Sequence, residues 1–135
     1  MSEILIDHVL LDRVTKAAKE SLRLRMNYNF HESLSSPSQR LLNALEPGTV
    51  LPIHRHRHTA ETYVLLRGRM RVLFYDDDKK EINRYELDPA EGTYGVNIPR
   101  GQWHTIEVLC AGTVIFEVKD GPYIPIAPNL SLIHI

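Results

Sequence analysis

The chain has 135 residues, of which 43% are hydrophobic and 24% are charged, and its formal net charge is -1. This length suits one domain with one hydrophobic core, and no apolar run is long enough to span a bilayer. The basic residues are scattered, which argues against nucleic acid as a partner and favours a small molecule. Cys110 is the single cysteine, so the sequence excludes an internal disulfide and fits a reducing cytoplasm.

The N-terminal residues are predicted to form one amphipathic helix with Asp7 as its cap. Its apolar face carries Leu10, Leu11, Val14, Ala17 and Ala18. Its polar face carries Asp12, Arg13, Lys16, Lys19 and Glu20. Because the preceding stretch contains acidic residues and lacks a basic leader, we expect a cytoplasmic protein and no secretion signal.

Residues 23–31 alternate strictly between polar and apolar side chains, which predicts an extended, half-buried segment. The polar side consists of Arg23, Arg25, Asn27, Asn29 and His31. Guanidinium and amide groups suit a carboxylate, a phosphate or sugar hydroxyls, so the first four are candidate substrate-binding residues if the segment lines a site. The alternative is a solvated outer face or a subunit contact. A serine-rich loop around Pro37 ends this N-terminal part, residues 1–38.

Short strand-like runs separated by glycine, proline and aspartate turns follow from Gln39 onward. The predicted strands are 39–46, 61–67, 69–75, 81–87, 93–98, 103–109 and 113–119. This pattern indicates an all-β sandwich or barrel of seven or eight antiparallel strands over residues 39–120, with the N-terminal helix and extended segment packed on it. Residues 121–135 form a proline-containing tail that either wraps along this single domain or reaches a neighbouring subunit.

Three histidines and one glutamate have the spacing of a metal site. His54 and His56 are two apart on an extended chain, so their imidazoles project from one face. A turn brings Glu61 back across the same face, and His104 begins a strand after the turn at 99–101. Three imidazoles and one carboxylate suit zinc, iron(II), manganese, nickel or copper better than calcium or magnesium. We therefore expect one divalent transition metal.

Two neighbours of these residues are candidate catalytic residues. His58 lies two beyond His56 and would share its face if the strand continued, where it could join the ligands or carry a proton; the alternative is an exposed turn residue. Tyr63 shares the face of Glu61 and is a candidate acid or base. Its alternative role is core packing with a hydrogen-bonded hydroxyl.

Two motifs resemble those of the cupin superfamily: Gly48-x5-His54-x-His56-x4-Glu61-x6-Gly68 and Pro99-x-Gly101-x2-His104. The runs LRLRMNYNFH, QRLLNALEPGT, IHRHRH with ETYVLLRG, IPRGQWHT and FEVKDGPY resemble the WbuC-type cupin metalloproteins, a bacterial group associated with surface-polysaccharide gene clusters. The resemblance implies a jelly-roll β-sandwich preceded by one α-helix. It also implies a divalent metal held at the four positions above and a role around O-antigen or sugar-nucleotide metabolism.

A metal held by three imidazoles and one carboxylate is compatible with different classes of function. We favour a metal-dependent enzyme acting on a small polar metabolite such as a sugar or sugar nucleotide, with the metal as Lewis acid in an isomerase, epimerase or lyase reaction. The alternatives are an iron-dependent dioxygenase and a non-catalytic metal- or sugar-binding module. A homodimer is expected, because cupins commonly pair and the apolar ILIDHVLL and SLIHI segments could cross to a partner.

Overall fold

The structure is a computed structural model that describes residues 2–125 and 131–133. Over these residues the chain forms one α-helix, ten β-strands and a short 3-10 turn. The helix, α1, is His8–Glu20, and the turn is Pro89–Glu91. The strands are β1 Arg25–Asn29, β2 Ser38–Leu45, β3 Ile53–His54, β4 Glu61–Arg67, β5 Met70–Tyr75, β6 Glu81–Leu87, β7 Gly95–Ile98, β8 Trp103–Val108, β9 Thr113–Asp120 and β10 Ser131–Ile133.

The strands form two five-stranded antiparallel sheets. The first has the order β1-β2-β9-β4-β7 and the second the order β10-β3-β8-β5-β6. A buried apolar cluster joins them: Leu45, Tyr63, Leu65, Ile98 and Ile115 come from the first sheet, and Met70, Val72, Phe74, Leu87 and Ile106 from the second. The predicted all-β jelly-roll sandwich with one N-terminal helix is confirmed.

Helix α1 begins as predicted, because the Asp7 carboxylate accepts a hydrogen bond of 3.0 Å from the Leu10 backbone N–H. Its apolar side packs against the outer face of the first sheet. The buried residues of this second cluster are Leu10, Leu11, Val14, Ala18, Leu42, Ala44 and Val114. Since side chains alternate along a strand, the neighbours of Leu42 and Ala44 on β2 point the other way, toward the inside of the sandwich.

The N-terminal end of the predicted extended segment was wrong. Strand β1 begins at Arg25, two residues later than the alternation suggested. Leu24 takes the left-handed conformation, with φ of 56°, and its N–H donates to Ser21 O, so a turn precedes the strand. Arg23 therefore lies exposed in that turn, while β1 pairs with β2 and forms an edge of the first sheet.

Most predicted strands are confirmed within one or two residues at their ends. The short strand β3 was missed, and so was β10, which pairs with it. Of the predicted tail, residues 126–130 and 134–135 lie outside the described residues. Among the helical segments that the structure describes, none combines the length and apolar character needed to cross a membrane.

Candidate metal centre

The four residues with metal-ligand spacing meet inside the sandwich. His54 ends β3, His56 follows two residues later, Glu61 begins β4 and His104 is the second residue of β8. Each contributes one ligand atom, and these atoms all lie within 4.8 Å of one another. The pairing of β3 with β8 places His54 opposite His104, with ring centroids 4.4 Å apart. The predicted convergence of the four side chains is therefore present in the structure.

Backbone carbonyls set the orientation of two of the imidazoles. The Nδ1 of His54 lies 2.9 Å from Pro52 O, and the Nδ1 of His104 lies 2.9 Å from Gln102 O. A carbonyl oxygen only accepts hydrogen bonds, so each Nδ1 carries a proton and donates it. The Nε2 atoms are thereby left to face the centre, which is the arrangement that metal-binding histidines commonly show.

Glu61 supplies the negative charge of the centre. Its Oε1 lies 2.8 Å from His104 Nε2 and 3.5 Å from His56 Nε2. Because the Nδ1 of His104 already carries a proton, a neutral ring would turn a lone pair toward this carboxylate. A lone pair 2.8 Å from a carboxylate oxygen favours a cation bound by both atoms. The donor set fits a divalent cation.

Burial tunes the protonation of these groups. Glu61 and His104 are 3% and 1% exposed. Burial, assisted by His104, lowers the pKa of His54 to about 3, so this imidazole is neutral at pH 7 and can donate a lone pair. Burial alone would raise the pKa of Glu61, but hydrogen bonds from His104 and His56 hold it well below its usual range. A neutral donor beside an ionised carboxylate is the electrostatic state that a metal site needs.

Tyr63 is a buried neighbour of the centre. Its hydroxyl donates to Glu61 Oε1 at 2.9 Å, and its ring belongs to the core between the sheets. Burial and the nearby carboxyl groups of Glu61 and Glu117 raise the pKa of Tyr63 well above its usual value. The structure thus shows a hydroxyl that orients Glu61, and an acid or base role for Tyr63 stays a prediction.

His58 lies outside the group of four converging residues. It is exposed in the turn after β3 and lines a cavity of about 290 Å³. We call it the mouth cavity. The turn that carries His56 bounds it on one side, and Lys119 and Tyr123 bound it on the other. His58 is therefore placed at the approach to the centre.

The four candidate substrate-binding residues divide into two pairs. Asn27 and Asn29 line a second cavity of about 310 Å³, which is called the side cavity below. The guanidinium of Arg25 instead donates to Val50 O at 2.9 Å, and Arg23 lies exposed in the turn before β1. The structure thus brings the two asparagines to a cavity and leaves the two arginines apart from it.

Sequence reasoning missed Glu117 and Lys119, which also line the side cavity. Both lie on β9 on the same side of the strand as the core residue Ile115. The sequence did offer a signal for them. Glu117 and Lys119 follow Ile115 at alternate positions of the strand, where apolar residues facing the core are expected. Burial, reinforced by the charge of Glu61, raises the pKa of Glu117 to about 7.

A family model described as a domain of unknown function, DUF6016, matches residues 6–87, which is more than half of the chain. The chain belongs to the DUF6016 family. The match includes β3 and β4, so His54, His56 and Glu61 lie within it, whereas His104 lies beyond it. No curated protein matches this DUF6016 chain significantly in sequence.

Solved structures with the cupin fold resemble the DUF6016 chain. The capsular polysaccharide assembling protein CapF of Staphylococcus aureus matches with a TM-score of 0.61 and 23% identity, over 78% of this chain and 27% of CapF. Oxalate decarboxylase of Bacillus subtilis matches with a TM-score of 0.56 and 20% identity, over 80% of this chain and 27% of the decarboxylase. The Cnp3 cupin domain of Schizosaccharomyces pombe matches with a TM-score of 0.56 and 11% identity, over 71% of this chain and 64% of the Cnp3 domain. These likenesses show a cupin fold, and the DUF6016 chain spans only 27% of CapF.

Replacing Tyr63 with phenylalanine tests how strongly its hydroxyl holds Glu61. The Tyr63→Phe variant loses a hydrogen bond to a charged, buried group, so the free energy of unfolding of the metal-free protein should fall by about 1.5–3 kcal/mol in urea denaturation. Tyr85→Phe is the matched control, because Tyr85 is 48% exposed. Equal stability of the Tyr63→Phe variant and the unmodified protein would contradict this reading.

Proposed function

We propose that this protein is a metal-binding cupin in which His54, His56, Glu61 and His104 hold one divalent transition metal. The observation that carries the proposal is the meeting of three imidazoles and one carboxylate within 4.8 Å. The Nδ1 hydrogen bonds of His54 and His104 support it further, because they aim both Nε2 lone pairs at one point. Nitrogen and oxygen donors of this kind suit zinc, iron, manganese or nickel.

We further propose that the protein is an enzyme. When bound, such a metal would supply Lewis-acid catalysis by polarising an oxygen of the substrate. Among the protein's own residues, Tyr63 orients Glu61, and His58 lines the cavity through which a ligand would approach. Tyr63 and His58 are the proposed proton-transfer residues of an isomerase, epimerase or lyase reaction.

The proposed substrate is a small polar metabolite such as a sugar or sugar nucleotide, in surface-polysaccharide or O-antigen metabolism. The resemblance of the sequence to WbuC-type cupins supports this assignment. So does the structural likeness to CapF, which is described as a capsular polysaccharide assembling protein. The amides of Asn27 and Asn29 at the side cavity are groups that bind sugar hydroxyls, with Arg23 and Arg25 as more distant candidates. The single Cys110 supports a cytoplasmic location, which cell fractionation tests.

Metal retention is the first test. Protein purified without chelator should contain about one transition-metal ion per chain by inductively coupled plasma mass spectrometry. His54→Ala, His104→Ala and Glu61→Ala should each lose most of it, because each removes one of the four converging ligand atoms.

Two histidine variants serve as controls for metal retention. His8→Ala removes an exposed imidazole at the start of α1 and should keep the metal. His58→Ala should keep it too, since His58 lies outside the converging group. Metal loss in His58→Ala with retention in Glu61→Ala would contradict the assigned ligand set.

Turnover separates the enzyme from its alternatives. A panel of sugar nucleotides should yield a product with the metal-loaded protein and none with the His104→Ala variant. Sugar binding that survives chelation, with no turnover anywhere in the panel, would identify a binding module instead. Iron in the protein together with substrate-dependent oxygen uptake would identify a dioxygenase.

We also propose a homodimer. The segment before α1 and its first turn carry exposed apolar side chains, with Leu5 and Val9 both 74% exposed, and a partner subunit would cover them. Light scattering coupled to size exclusion should give the mass of a dimer, and the Leu5→Ser, Val9→Ser double variant should give that of a monomer. A monomeric unmodified protein would contradict the proposal.

A further inference from the structure

The inner face of the first sheet carries a row of polar side chains that runs from the metal centre to the sheet edge. Strand register places Glu61 opposite Lys119 and Tyr63 opposite Glu117 on β9. On β2, Leu41 lies opposite Glu117 and pairs in turn with Asn29 on the edge strand β1, while Asn43, the next inward-facing residue of β2, lies opposite Asn27. Buried polar side chains are costly unless they are hydrogen-bonded, so the contacts of these residues need to be accounted for.

Glu117 is a buried residue of the side-cavity lining and forms its base, and Asn43 is hydrogen-bonded to it. Their side chains are 9% and 8% exposed, and Asn43 Nδ2 donates to Glu117 Oε1 at 3.0 Å. The other amide atom, Asn43 Oδ1, is buried and has no hydrogen-bond partner among the described residues. Buried amide oxygens are nearly always paired in folded proteins, so this oxygen is an exception.

The walls of the side cavity add donors of a different kind. The exposed amides of Asn27 and Asn29 stand on one side, and the Lys119 ammonium stands on the other, 5.7 Å from the centre of the Tyr123 ring. Lys119 and Tyr123 also line the mouth cavity beside His56. The two cavities therefore have Lys119 and Tyr123 in common.

The combination of these groups selects the chemistry of a ligand. The ionised carboxyl group at the base favours a ligand that donates hydrogen bonds and disfavours an anion, whereas the amides and the ammonium can pair with ligand oxygens. An apolar ligand would leave Glu117 and the amides unpaired, at a large cost. Hydroxyls on adjacent carbons both donate and accept. The volume of about 310 Å³ is at the lower end of small-molecule sites.

We propose that Glu117, Asn27, Asn29 and Lys119 form a subsite for the vicinal hydroxyls of a sugar ring, next to the metal centre. Glu117 is the residue that selects hydroxyl groups, and Asn43 holds its carboxyl group in place. The proposal deepens the proposed function and rests on it for the placement of the ligand beside the metal. It adds Glu117 and Lys119 on β9 to the candidate substrate-binding residues on β1. It also excludes an anionic group from the base of the side cavity.

Nitrogen-15 NMR titrations of the full chain test the subsite. The probes are glucose, galactose, mannose and glucuronate, with cyclohexanol and inorganic phosphate as comparison ligands. At least one sugar should shift the side-chain amide signals of Asn27 and Asn29, while cyclohexanol and phosphate should not. At pH 8, where Glu117 is mostly ionised, Glu117→Gln should weaken binding of that sugar about tenfold, because it removes a hydrogen bond with a charged acceptor.

Matched variants separate a lost subsite from a damaged fold. Glu107→Gln changes an exposed glutamate on β8 that pairs with Arg71, and it should leave sugar affinity unchanged. The double variant Asn27→Ala, Asn29→Ala changes exposed residues only and should also weaken binding about tenfold or more, whereas Asn83→Ala on β6 should not. Sugar affinity, measured from the backbone amide signals, that stays unchanged in Glu117→Gln and in the double variant would overturn the subsite.

Running every titration with metal-loaded and with chelated protein distinguishes the two proposals. A protein that retains metal while no sugar in the panel shifts the two amides overturns the subsite and leaves the metal centre standing. Sugar shifts in a protein that never retains metal support the subsite and overturn the metal centre. Phosphate that displaces the sugar from these amides also overturns the subsite, because the base would then accept an anion.

Discussion

The contact between Glu61 and the imidazoles of His104 and His56 is the interaction on which the site depends. It joins the first sheet, through β4, to the second sheet, through β8, at a buried point between them. A buried carboxylate is costly unless it is paired, so the ring nitrogens that face it must bring positive charge or a cation. The backbone carbonyl of Gln102 fixes the His104 ring for this contact.

The rest of the fold buries three of the four converging residues and leaves His56 half-buried. Helix α1 covers the outer face of the first sheet through Leu42 and Ala44, which frees the inner face for polar side chains. The apolar core fills one end of the sandwich. The mouth and side cavities lie near the centre and share Lys119 and Tyr123. The first sheet thus carries core residues, Glu61 of the candidate metal centre and residues of the side cavity, divided by strand alternation.

The convergence of His54, His56 and Glu61 could be predicted because their spacing is local: two residues apart, then across one turn. His104 lies 43 positions beyond Glu61, and it was identified by the resemblance of its surroundings to a cupin motif. Strand ends were also predictable from local signals, since alternation and glycine or proline turns mark them. Pairing between distant strands was not, so the closeness of Glu117 to Asn43, 74 positions away in the chain, could not be inferred. Arg23 was misplaced because a left-handed residue, Leu24, interrupts the alternation, and a two-residue strand such as β3 is too short to show a period.

X-ray absorption spectroscopy at the edge of the metal found in the purified protein tests the central claim most directly. Coordination by His54, His56, Glu61 and His104 predicts a shell of nitrogen and oxygen atoms with the multiple-scattering signature of three imidazoles. A sulfur shell, which would point to Cys110, or a signature of fewer than three imidazoles would contradict it.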